Sequence, residues 1–289
     1  MIRILGGINE IGTNEKHGFS DDKEGPSTMV NVNDFYIDET TVTNEAFQEF
    51  VNETGYITEA EKFGWSFVFH YFLTDEQKSQ SKKVKSISGW LAVKDAYWKS
   101  PEGFSSTIDD RLDHPVVHIS RNDAIAYCKW SGKRLPTEAE WEIAAKGNIK
   151  SELYPWGDEL LKEGKINCNI WQGNFPFQNT LEDGYAGTAP VKTFTPNEFG
   201  LYQMIGNVWE WCVNPKGIPL SEFNYFDGQD YWKAYQNIDD EKYAIKGGSF
   251  LCHQSYCKRY RIAARNGNTG RSTSNNLGFR CVKDIDLPH

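Results

Sequence analysis

The residues most able to do chemistry in this chain are two cysteines that lie close together in sequence. Cys252 and Cys257 are separated by four residues in the segment CHQSYC, which follows the glycines and serine at 247–249. Thiols at this spacing can meet in a turn, as a disulfide or as a two-thiolate metal site. Soft thiolates select Cu(I) or zinc, although zinc would want two more ligands and the chain has no second close cysteine pair. The spacing leaves three interpretations open: two buried or bridged cysteines, a redox or copper site, and a zinc site.

A group of cations follows the second cysteine. Its members are Lys258, Arg259, Arg261, Arg265 and Arg271. Positive charge beside a cysteine lowers the pKa of the thiol and favours the thiolate. The group therefore predicts either stabilisation of a thiolate or internal ion pairs with carboxylates.

Another pair with metal-ligand spacing is His114 and His118. Because Pro115 lies between them and the run looks extended, the i, i+4 spacing does not place both on one helix face. We expect structural histidines here and not metal ligands.

Three helices that precede the cysteine pair are predicted from capping signals. They begin after Thr43, Ser120 and Thr137. The last signal is a full capping box with Glu140, and its helix is expected to end near Gly147.

The rest of the chain is expected to hold little regular structure. Beyond residue 147 there is no convincing amphipathic helix longer than two turns, and glycine, asparagine, threonine and proline dominate. Strands are predicted around residues 30–38, 243–246 and 277–282. This mixture of predicted helices and strands indicates an α+β protein with abundant loop. No break in composition divides residues 1–289 into two domains, so we expect a single domain.

Composition excludes several classes of protein. The chain has 289 residues, 31 basic and 40 acidic side chains, a formal net charge of −9 and 10 tryptophans. An aromatic content of 14% excludes disorder, and no run of about 18 apolar residues could form a membrane helix. The acidic balance would repel phosphate, so we expect no nucleic-acid partner. Most tryptophans are expected in the core, because each ring buries a large area.

The start of the chain and the cysteine count indicate a compartment. The first apolar run ends at Gly6 and Gly7, short of the about 7–15 apolar residues of a signal peptide. Six cysteines in 289 residues do not make a disulfide scaffold. We therefore expect a cytoplasmic protein.

Several longer motifs resemble the formylglycine-generating enzyme (sulfatase-modifying factor) family. The matching segments are DHPVVHIS at 113–120, GKRLPTEAEWE at 132–142, YPWG at 154–157, NIWQG at 169–173, GNVWEW at 206–211 and LGFRC at 277–281. Most of them are shared by a wider superfamily, which includes iron-dependent sulfoxide synthases and lectin-like binding modules. The pattern GGSxxCHxSYC around Cys252 and Cys257 is more specific and marks the oxidase branch.

The resemblance implies a fold and an activity. The fold would be a single α+β domain of C-type-lectin kind with little regular secondary structure. The enzyme would use O2 to oxidise one cysteine of a Cys-x-Pro-x-Arg motif, in an unfolded or nascent sulfatase peptide, to Cα-formylglycine. Cys252 and Cys257 would bind Cu(I) as thiolates, and the substrate cysteine would be a third ligand. Ser249 would donate a hydrogen bond near the oxygen site and Trp209 would line it, with His253 and Tyr256 as supporting groups.

Family members also bind structural calcium. The ligands carried over for one ion are Asn169, Ile170, Asp183 and Tyr185, with Ile170 and Tyr185 acting through their carbonyls. Those for a second ion are Gln203, Gly206, Val208 and Glu210, with Gly206 and Val208 acting through theirs. Oxygen ligands of this mix suit Ca²⁺, and Gln203 stands where the family pattern has asparagine.

The remaining cysteines are expected to be structural. Cys128 and Cys281 correspond to a structural disulfide in some relatives, and in a reducing cytoplasm they would be buried thiols. Cys168 and Cys212 are expected as small buried hydrophobic residues.

Two alternatives to the oxidase remain open. One is a non-catalytic lectin-like binding module, in which the cysteine pair would be dispensable. The other is a relative of the iron-dependent sulfoxide synthases. In each case we expect a monomer.

Overall fold

The computed structural model describes residues 1–84, 88–149, 153–237 and 241–285. In that part of the chain, short helices and strands alternate with long loops. The α-helices are α1 (Asn44–Thr54), α2 (Glu59–Phe63), α3 (Asp75–Gln80), α4 (Arg121–Trp130), α5 (Glu138–Lys146) and α6 (Gly228–Tyr235). Helix α6, which lies beyond residue 147, is about two turns long.

The predicted capping residues begin helices α1, α4 and α5. The hydroxyl of Thr43 accepts the backbone N–H of Ala46 at 3.1 Å. Ser120 and Thr137 each form a full capping box with the acidic residue three positions on. Each cap contributes about 1 kcal/mol to helix stability. Helix α5 ends at Gly147, as predicted.

The strands are short and belong to several small sheets. They are β1 (Ile2–Ile4), β2 (Gly7–Ile11), β3 (Thr28–Val32), β4 (Phe35–Ile37), β5 (Trp65–Phe69), β6 (Lys82–Lys83), β7 (Trp90–Lys94), β8 (Leu161–Lys162), β9 (Lys165–Ile166), β10 (Gly173–Asn174), β11 (Gln178–Asn179), β12 (Trp209–Pro215), β13 (Lys242–Lys246), β14 (Asn266–Thr269), β15 (Leu277–Gly278) and β16 (Val282–Asp284). The largest sheet has the order β14-β13-β12-β15, in which β15 runs parallel to β12 and the other pairs are antiparallel. Two antiparallel three-stranded sheets have the orders β1-β4-β16 and β5-β7-β6, and the remaining strands pair two by two.

Two segments that were each predicted as one strand form two strands each. The segment 30–38 is split into β3 and β4, which belong to different sheets. Asp34 lies at this break, and its side chain accepts the backbone N–H of Gly6 at 2.9 Å. The bond joins the link between β3 and β4 to the link between β1 and β2, where both segments pass from one sheet to the other. The segment 277–282 is likewise split, because β15 pairs with β12 whereas β16 pairs with β4. The strand predicted at 243–246 is confirmed as part of β13.

Tryptophans occupy the centre of the core, as predicted. Four of them are fully buried: Trp98, Trp141, Trp171 and Trp211. The indole N–H of Trp141 donates to Glu210 at 2.8 Å, and that of Trp211 donates to the carbonyl of Ile119 at 2.9 Å. A buried indole N–H without an acceptor costs free energy, so these bonds stabilise Trp141 and Trp211 in the core, whereas Trp98 Nε1 has no partner among the described residues.

Candidate active site

The cysteine pair follows strand β13 through a tight turn. Gly247 and Gly248 have φ angles of 91° and 78°, a region that favours glycine. A Cβ atom on Gly247 would lie 2.9 Å from the carbonyl oxygen of Met204, so the close approach also requires glycine. The next residues fold back on themselves, because the backbone N–H of Cys252 donates to the carbonyl of Ser249 at 2.8 Å. The N–H of Cys257 completes the turn by donating to the carbonyl of His253 at 2.8 Å.

The turn brings the two thiols together. The Sγ atoms of Cys252 and Cys257 lie 2.9 Å apart, and both side chains are buried. A disulfide has a sulfur–sulfur distance of about 2.05 Å, and both residues are free cysteines in the structure. The arrangement is an unbonded thiol pair whose sulfurs share a hydrogen bond.

The pair is electrostatically unequal. The hydrogen bond from Cys252 lowers the pKa of the Cys257 thiol, and the backbone and guanidinium of Arg259 lower it further. Burial raises the pKa of Cys252 well above its usual value. The pair therefore favours one negative charge, with a thiolate at Cys257 and a thiol at Cys252.

Cations that follow Cys257 form internal ion pairs, and one of them also contacts the thiol. Ion pairs at 2.5–2.9 Å join four of the arginines to carboxylates: Arg259 to Asp22, Arg261 to Glu24, Arg265 to Glu138 and Arg271 to Glu59. Arg259 also contacts the thiol of Cys257, so it is the member of this group that acts on the cysteine pair. The centroid of the Phe19 ring lies 4.1 Å from its guanidinium carbon.

The thiols lie in the wall of a cavity of about 350 Å³. Ser249 and Trp209, two of the residues expected at the site, also line it. The Ser249 hydroxyl accepts the side-chain N–H of Asn276 at 2.9 Å and the backbone N–H of Leu251 at 3.3 Å. Both bonds use the oxygen lone pairs, so the hydroxyl proton is left available as a donor.

A larger cavity lies elsewhere on the molecule. Its volume is about 750 Å³, and Tyr97 and Phe104 are among the residues that line it. No cysteine lies in its described walls. The chemistry that the sequence predicts therefore belongs to the smaller cavity.

Aromatic side chains form the opposite part of the smaller cavity's wall. Tyr256 is one of them, as predicted, and its ring stacks on Phe175 with centroids 4.4 Å apart. Phe67 and Trp90 also line the cavity, although no motif of the sequence singled them out. Their positions follow from the pairing of β5 with β7, which no local sequence pattern predicts. The described walls do not include His253, whose Nδ1 instead bonds to the hydroxyl of Ser255 at 2.8 Å.

The thiols are the soft donors that copper would need. Among the described residues, no group of three or more histidine, cysteine, aspartate or glutamate side chains could hold a metal ion. Two thiolates alone suit Cu(I), which accepts low coordination and soft ligands, and they leave a coordination position for an incoming group. Cys252 and Cys257 are therefore chemically fitted to hold that ion.

A hydrogen bond links Ile170 to Asp183 within the first predicted calcium set. Ile170 N–H and the side chain of Gln172 both donate to Asp183 Oδ2, at 3.2 and 2.9 Å. The same Gln172 amide also donates to the carbonyl of Ile170. Within the described residues, Asn169 Oδ1 is buried and has no hydrogen-bond partner. Burial raises the pKa of Asp183. A buried amide oxygen without a partner, a carboxylate and a backbone carbonyl are oxygen ligands of the kind that Ca²⁺ takes.

The second set fits less completely. Gln203 Oε1 is buried and has no partner in the described part of the chain, so it is available as a ligand. Glu210, in contrast, is held by Arg280 through two bonds of 2.9 Å and by the indole of Trp141 at 2.8 Å. A cation at Glu210 would share this carboxylate with a buried arginine. The loop that carries Gly206 and Val208 adopts a φ of 80° at Gly206.

The other cysteines are buried. Cys128 and Cys281 have their sulfurs 3.6 Å apart and carry no disulfide in the structure. Cys168 and Cys212 are fully buried, and burial raises the pKa of both thiols. They are placed as small core residues, as predicted.

The histidine pair is structural. Nδ1 of His118 bonds to the hydroxyl of Ser66 at 2.7 Å, and its Nε2 donates to the carbonyl of Pro101 at 2.7 Å. Nδ1 of His114 bonds to the hydroxyl of Thr188 at 2.9 Å. Both ring nitrogens of His118 are thus occupied by protein groups, as expected for a histidine without a metal role.

Comparison with solved structures defines the class of fold. The structure of PvdO from Pseudomonas aeruginosa aligns with a TM-score of 0.68, over 98% of this chain and 93% of that one, at 22% identity. The mixed helix-and-sheet fold with short elements is therefore shared, as predicted. In the described residues, no helix is long and apolar enough to cross a membrane.

Comparison of sequences then defines the family. Residues 1–285 match the sulfatase-modifying factor enzyme 1-like domain. The formylglycine-generating enzyme of Thermomonospora curvata is 47% identical over 298 aligned positions, which span 98% of this chain and 93% of that protein. A protein of Bos taurus named inactive Cα-formylglycine-generating enzyme 2 is 42% identical, over 100% of this chain and 89% of its own length. The chain belongs to the formylglycine-generating enzyme family, which confirms the resemblance seen in its motifs.

Proposed function

We propose that this protein is a copper-dependent oxidase that uses O2 to convert a cysteine of a Cys-x-Pro-x-Arg segment, in a sulfatase or a similar protein, to Cα-formylglycine. The chain is an oxidoreductase of its family and acts on protein cysteine. The observation that carries the proposal is the free thiol pair of Cys252 and Cys257, 2.9 Å apart and open to a cavity of about 350 Å³. A high identity to active relatives would not suffice alone, because a relative named inactive is also 42% identical.

The chemistry needs a soft metal and a reductant. In the net reaction, the substrate cysteine and O2 give an aldehyde at the β-carbon, one hydrogen sulfide and one water molecule. Two further hydrogen atoms balance this reaction, and they come from a thiol reductant. When bound by the two thiolates, Cu(I) would hold the substrate sulfur and supply the electron needed to activate O2.

The residues of the chain have separate roles around this centre. Cys257, with its lowered pKa, provides a thiolate without external base, and Arg259 stabilises the charge. Ser249 directs its hydroxyl proton into the cavity, where it stabilises developing negative charge on oxygen. Trp209 is 6% exposed and closes the wall against water.

The size of the cavity indicates how the substrate is presented. A volume of about 350 Å³ is near the lower end of ligand pockets. It accommodates a few residues of an extended chain and not a folded domain. The substrate is therefore an unfolded or nascent segment. As separate parts of the proposal, the reaction takes place in the cytoplasm and the enzyme is a monomer.

The proposal also includes structural Ca²⁺ bound by the chain. The buried oxygen of Asn169 lacks a partner among the described residues, and the carboxylate of Asp183 accepts the backbone N–H of Ile170, the next residue in the chain, which supports one ion at this place. The carbonyl of Tyr185 is the fourth proposed ligand. A second ion at Gln203 and Glu210 is a further part of the proposal, and there it shares Glu210 with Arg280.

The experiment is a reconstituted oxidation. The purified chain is incubated with Cu(I), O2, a thiol reductant and a peptide with a Cys-x-Pro-x-Arg core, and the aldehyde is detected by mass and by hydrazide trapping. We expect aldehyde from the wild type and from Cys212→Ala, a buried cysteine outside the cavity, and none from Cys252→Ser or Cys257→Ser. A copper-loaded wild type that binds the peptide without forming aldehyde would instead identify a non-catalytic binding module. Activity that requires iron and not copper would favour the sulfoxide synthase relatives.

A further inference from the structure

An exposed aromatic surface leads out of the cavity along strand β5. Side chains alternate between the two faces of this strand: Ser66 and Val68 are buried, whereas Trp65 and Phe67 lie on the outer face. Phe67 is part of the cavity wall, and Trp65 is 37% exposed. The two rings touch edge to face, with centroids 5.0 Å apart. The outer face of the strand is thus an apolar extension of the cavity.

The register of the sheet extends this surface across strand β7. Trp65 pairs with Lys94, and Phe67 pairs with Ala92, so the four side chains share one face. Phe63 continues the surface at its far end, with its ring stacked on that of Trp65 at a centroid distance of 6.1 Å. We call Phe63, Trp65, Phe67 and Ala92 together the outer aromatic face.

Cations border the outer aromatic face. Lys94 is 85% exposed in its side chain, and Lys82, opposite Ala92 in β6, is also exposed. The guanidinium of Arg271 lies 5.2 Å from the ring of Phe63. Arg271 is paired with Glu59 at 2.9 Å, and Lys94 lies 3.9 Å from Asp95, so the border carries charges of both signs. We therefore expect this face to select its ligand through apolar contact with the rings and not through net charge.

The geometry of an extended polypeptide matches this surface. The reacting residue is a cysteine inside a chain, so the chain must enter and leave the cavity on its two sides. Side chains on one face of an extended strand recur about every 6.6 Å, which is the spacing of Phe67 and Trp65 along β5. A substrate segment that leaves the cavity at Phe67 therefore brings onto Trp65 a side chain two to four positions before its cysteine. If the chain runs the other way, the side chain comes from a few positions beyond the motif arginine, because positions two and four after the cysteine are the Pro and Arg of the motif.

We propose that the outer aromatic face binds the substrate segment adjacent to the reactive cysteine and selects an apolar side chain there, with Trp65 as the specificity-determining residue. This inference rests on the proposed function, because it assumes that the cavity receives a peptide cysteine. It adds a contact outside the cavity that the thiol pair, Ser249 and Trp209 do not make. The expected gain in affinity is about 5- to 10-fold, the value of one well-placed aromatic contact.

The test measures binding separately from turnover. Peptides with the Cys-x-Pro-x-Arg core are made with leucines two and four positions beyond the core on the amino side, on the carboxyl side, or on neither. A second set carries lysines at those positions. Versions in which alanine replaces the cysteine report affinity by fluorescence anisotropy, and the cysteine versions report KM and kcat for aldehyde formation. The enzymes are the wild type, Trp65→Ala, Trp65→Lys, and Tyr225→Ala as a control at another exposed aromatic residue.

We expect one leucine-bearing peptide to bind the wild type about 5- to 10-fold more tightly than the core peptide, with a matching fall in KM and no change in kcat. Trp65→Ala removes this difference, Trp65→Lys removes it and weakens the lysine peptides further, and Tyr225→Ala preserves it. The side whose affinity responds gives the direction of the chain. Equal affinity of the wild type for leucine and core peptides, or an equal loss for all peptides in Trp65→Ala, overturns the inference. Absence of aldehyde with every cysteine peptide overturns the proposed function instead.

Discussion

Asp22 holds the guanidinium of Arg259 by bonds of 2.5 Å to Nε and 3.2 Å to a terminal nitrogen, and this guanidinium contacts the Cys257 thiol. Asp22 is 2% exposed and ends a short 3-10 helix, Ser20–Asp22, in the amino-terminal loop, whereas Arg259 follows the cysteine pair. A fixed arginine is a better thiolate partner than a mobile one, because less side-chain entropy is lost on contact. The amino-terminal loop is therefore part of the thiol site.

The first prediction concerns the charge on Cys257. In Arg259→Ala, the pKa of Cys257 rises towards its usual value, so the thiolate fraction at pH 7 falls. The rate of alkylation by iodoacetamide in the metal-free protein should fall severalfold at pH 7 and recover at alkaline pH. Lys258→Ala is the matched control, because Lys258 is adjacent, cationic and exposed. Identical pH–rate profiles for both variants would contradict the role of Arg259.

A second prediction concerns the hydroxyl of Ser249. Ser249→Ala removes the proton that is available to the cavity while leaving both thiols in place. We expect kcat for aldehyde formation to fall about tenfold, the value of roughly 1.4 kcal/mol of lost hydrogen bonding in the transition state, with copper affinity unchanged. Ser255→Ala, in the exposed part of the same turn, is the control. Wild-type kcat in Ser249→Ala would exclude this residue from the reaction.

The local parts of the site could be predicted from sequence. A turn that joins Cys252 to Cys257 needs only the glycines before it and backbone bonds within the segment. The caps at Ser120 and Thr137 are equally local, because a hydroxyl and a carboxylate three residues apart satisfy each other. Such features depend on neighbours in sequence, and the sequence displays them directly.

The other parts depend on tertiary pairing. Asn276 reaches Ser249, and Phe67 reaches the cavity, through strands that no short motif places together. The predicted strand at 30–38 was wrong for the same reason: β-branched and aromatic content indicates extended chain, but the point where a chain leaves one sheet for another is set by contacts such as that of Asp34 with Gly6. The same holds for the change of sheet at Arg280, which is set by its pairing with Glu210.

A third prediction concerns calcium. If one ion binds at Asn169 and Asp183, Ca²⁺ at 100 times its dissociation constant should add about 2.7 kcal/mol to the free energy of unfolding. Thermal unfolding in Ca²⁺ and in chelator measures this directly. Asp183→Asn should lose most of the calcium-dependent rise in Tm, and Glu182→Gln, an exposed neighbour, should keep it. A wild-type Tm that is the same in both solutions would show that the buried oxygen of Asn169 is not a ligand.

The last prediction concerns stability in acid. Burial lowers the pKa of His118 to about 4, whereas an unfolded histidine titrates near 6.5. Between these values the unfolded state binds the proton and the folded state does not, so the contribution of His118 is complete above pH 6.5 and is lost as pH falls towards 4. Asp123 acts in the opposite direction, because burial raises its pKa to about 6 and the folded state takes up its proton first.

The two groups can be separated by comparing variants. His118→Gln removes the first contribution and retains that of Asp123. The unfolding free energy of the wild type minus that of His118→Gln should therefore be about 3 kcal/mol smaller at pH 4 than at pH 6.5. Urea denaturation at each pH measures this difference. A difference between wild type and His118→Gln that stays constant over this range would mean that His118 is protonated in the folded protein, contrary to its neutral state between Ser66 and Pro101.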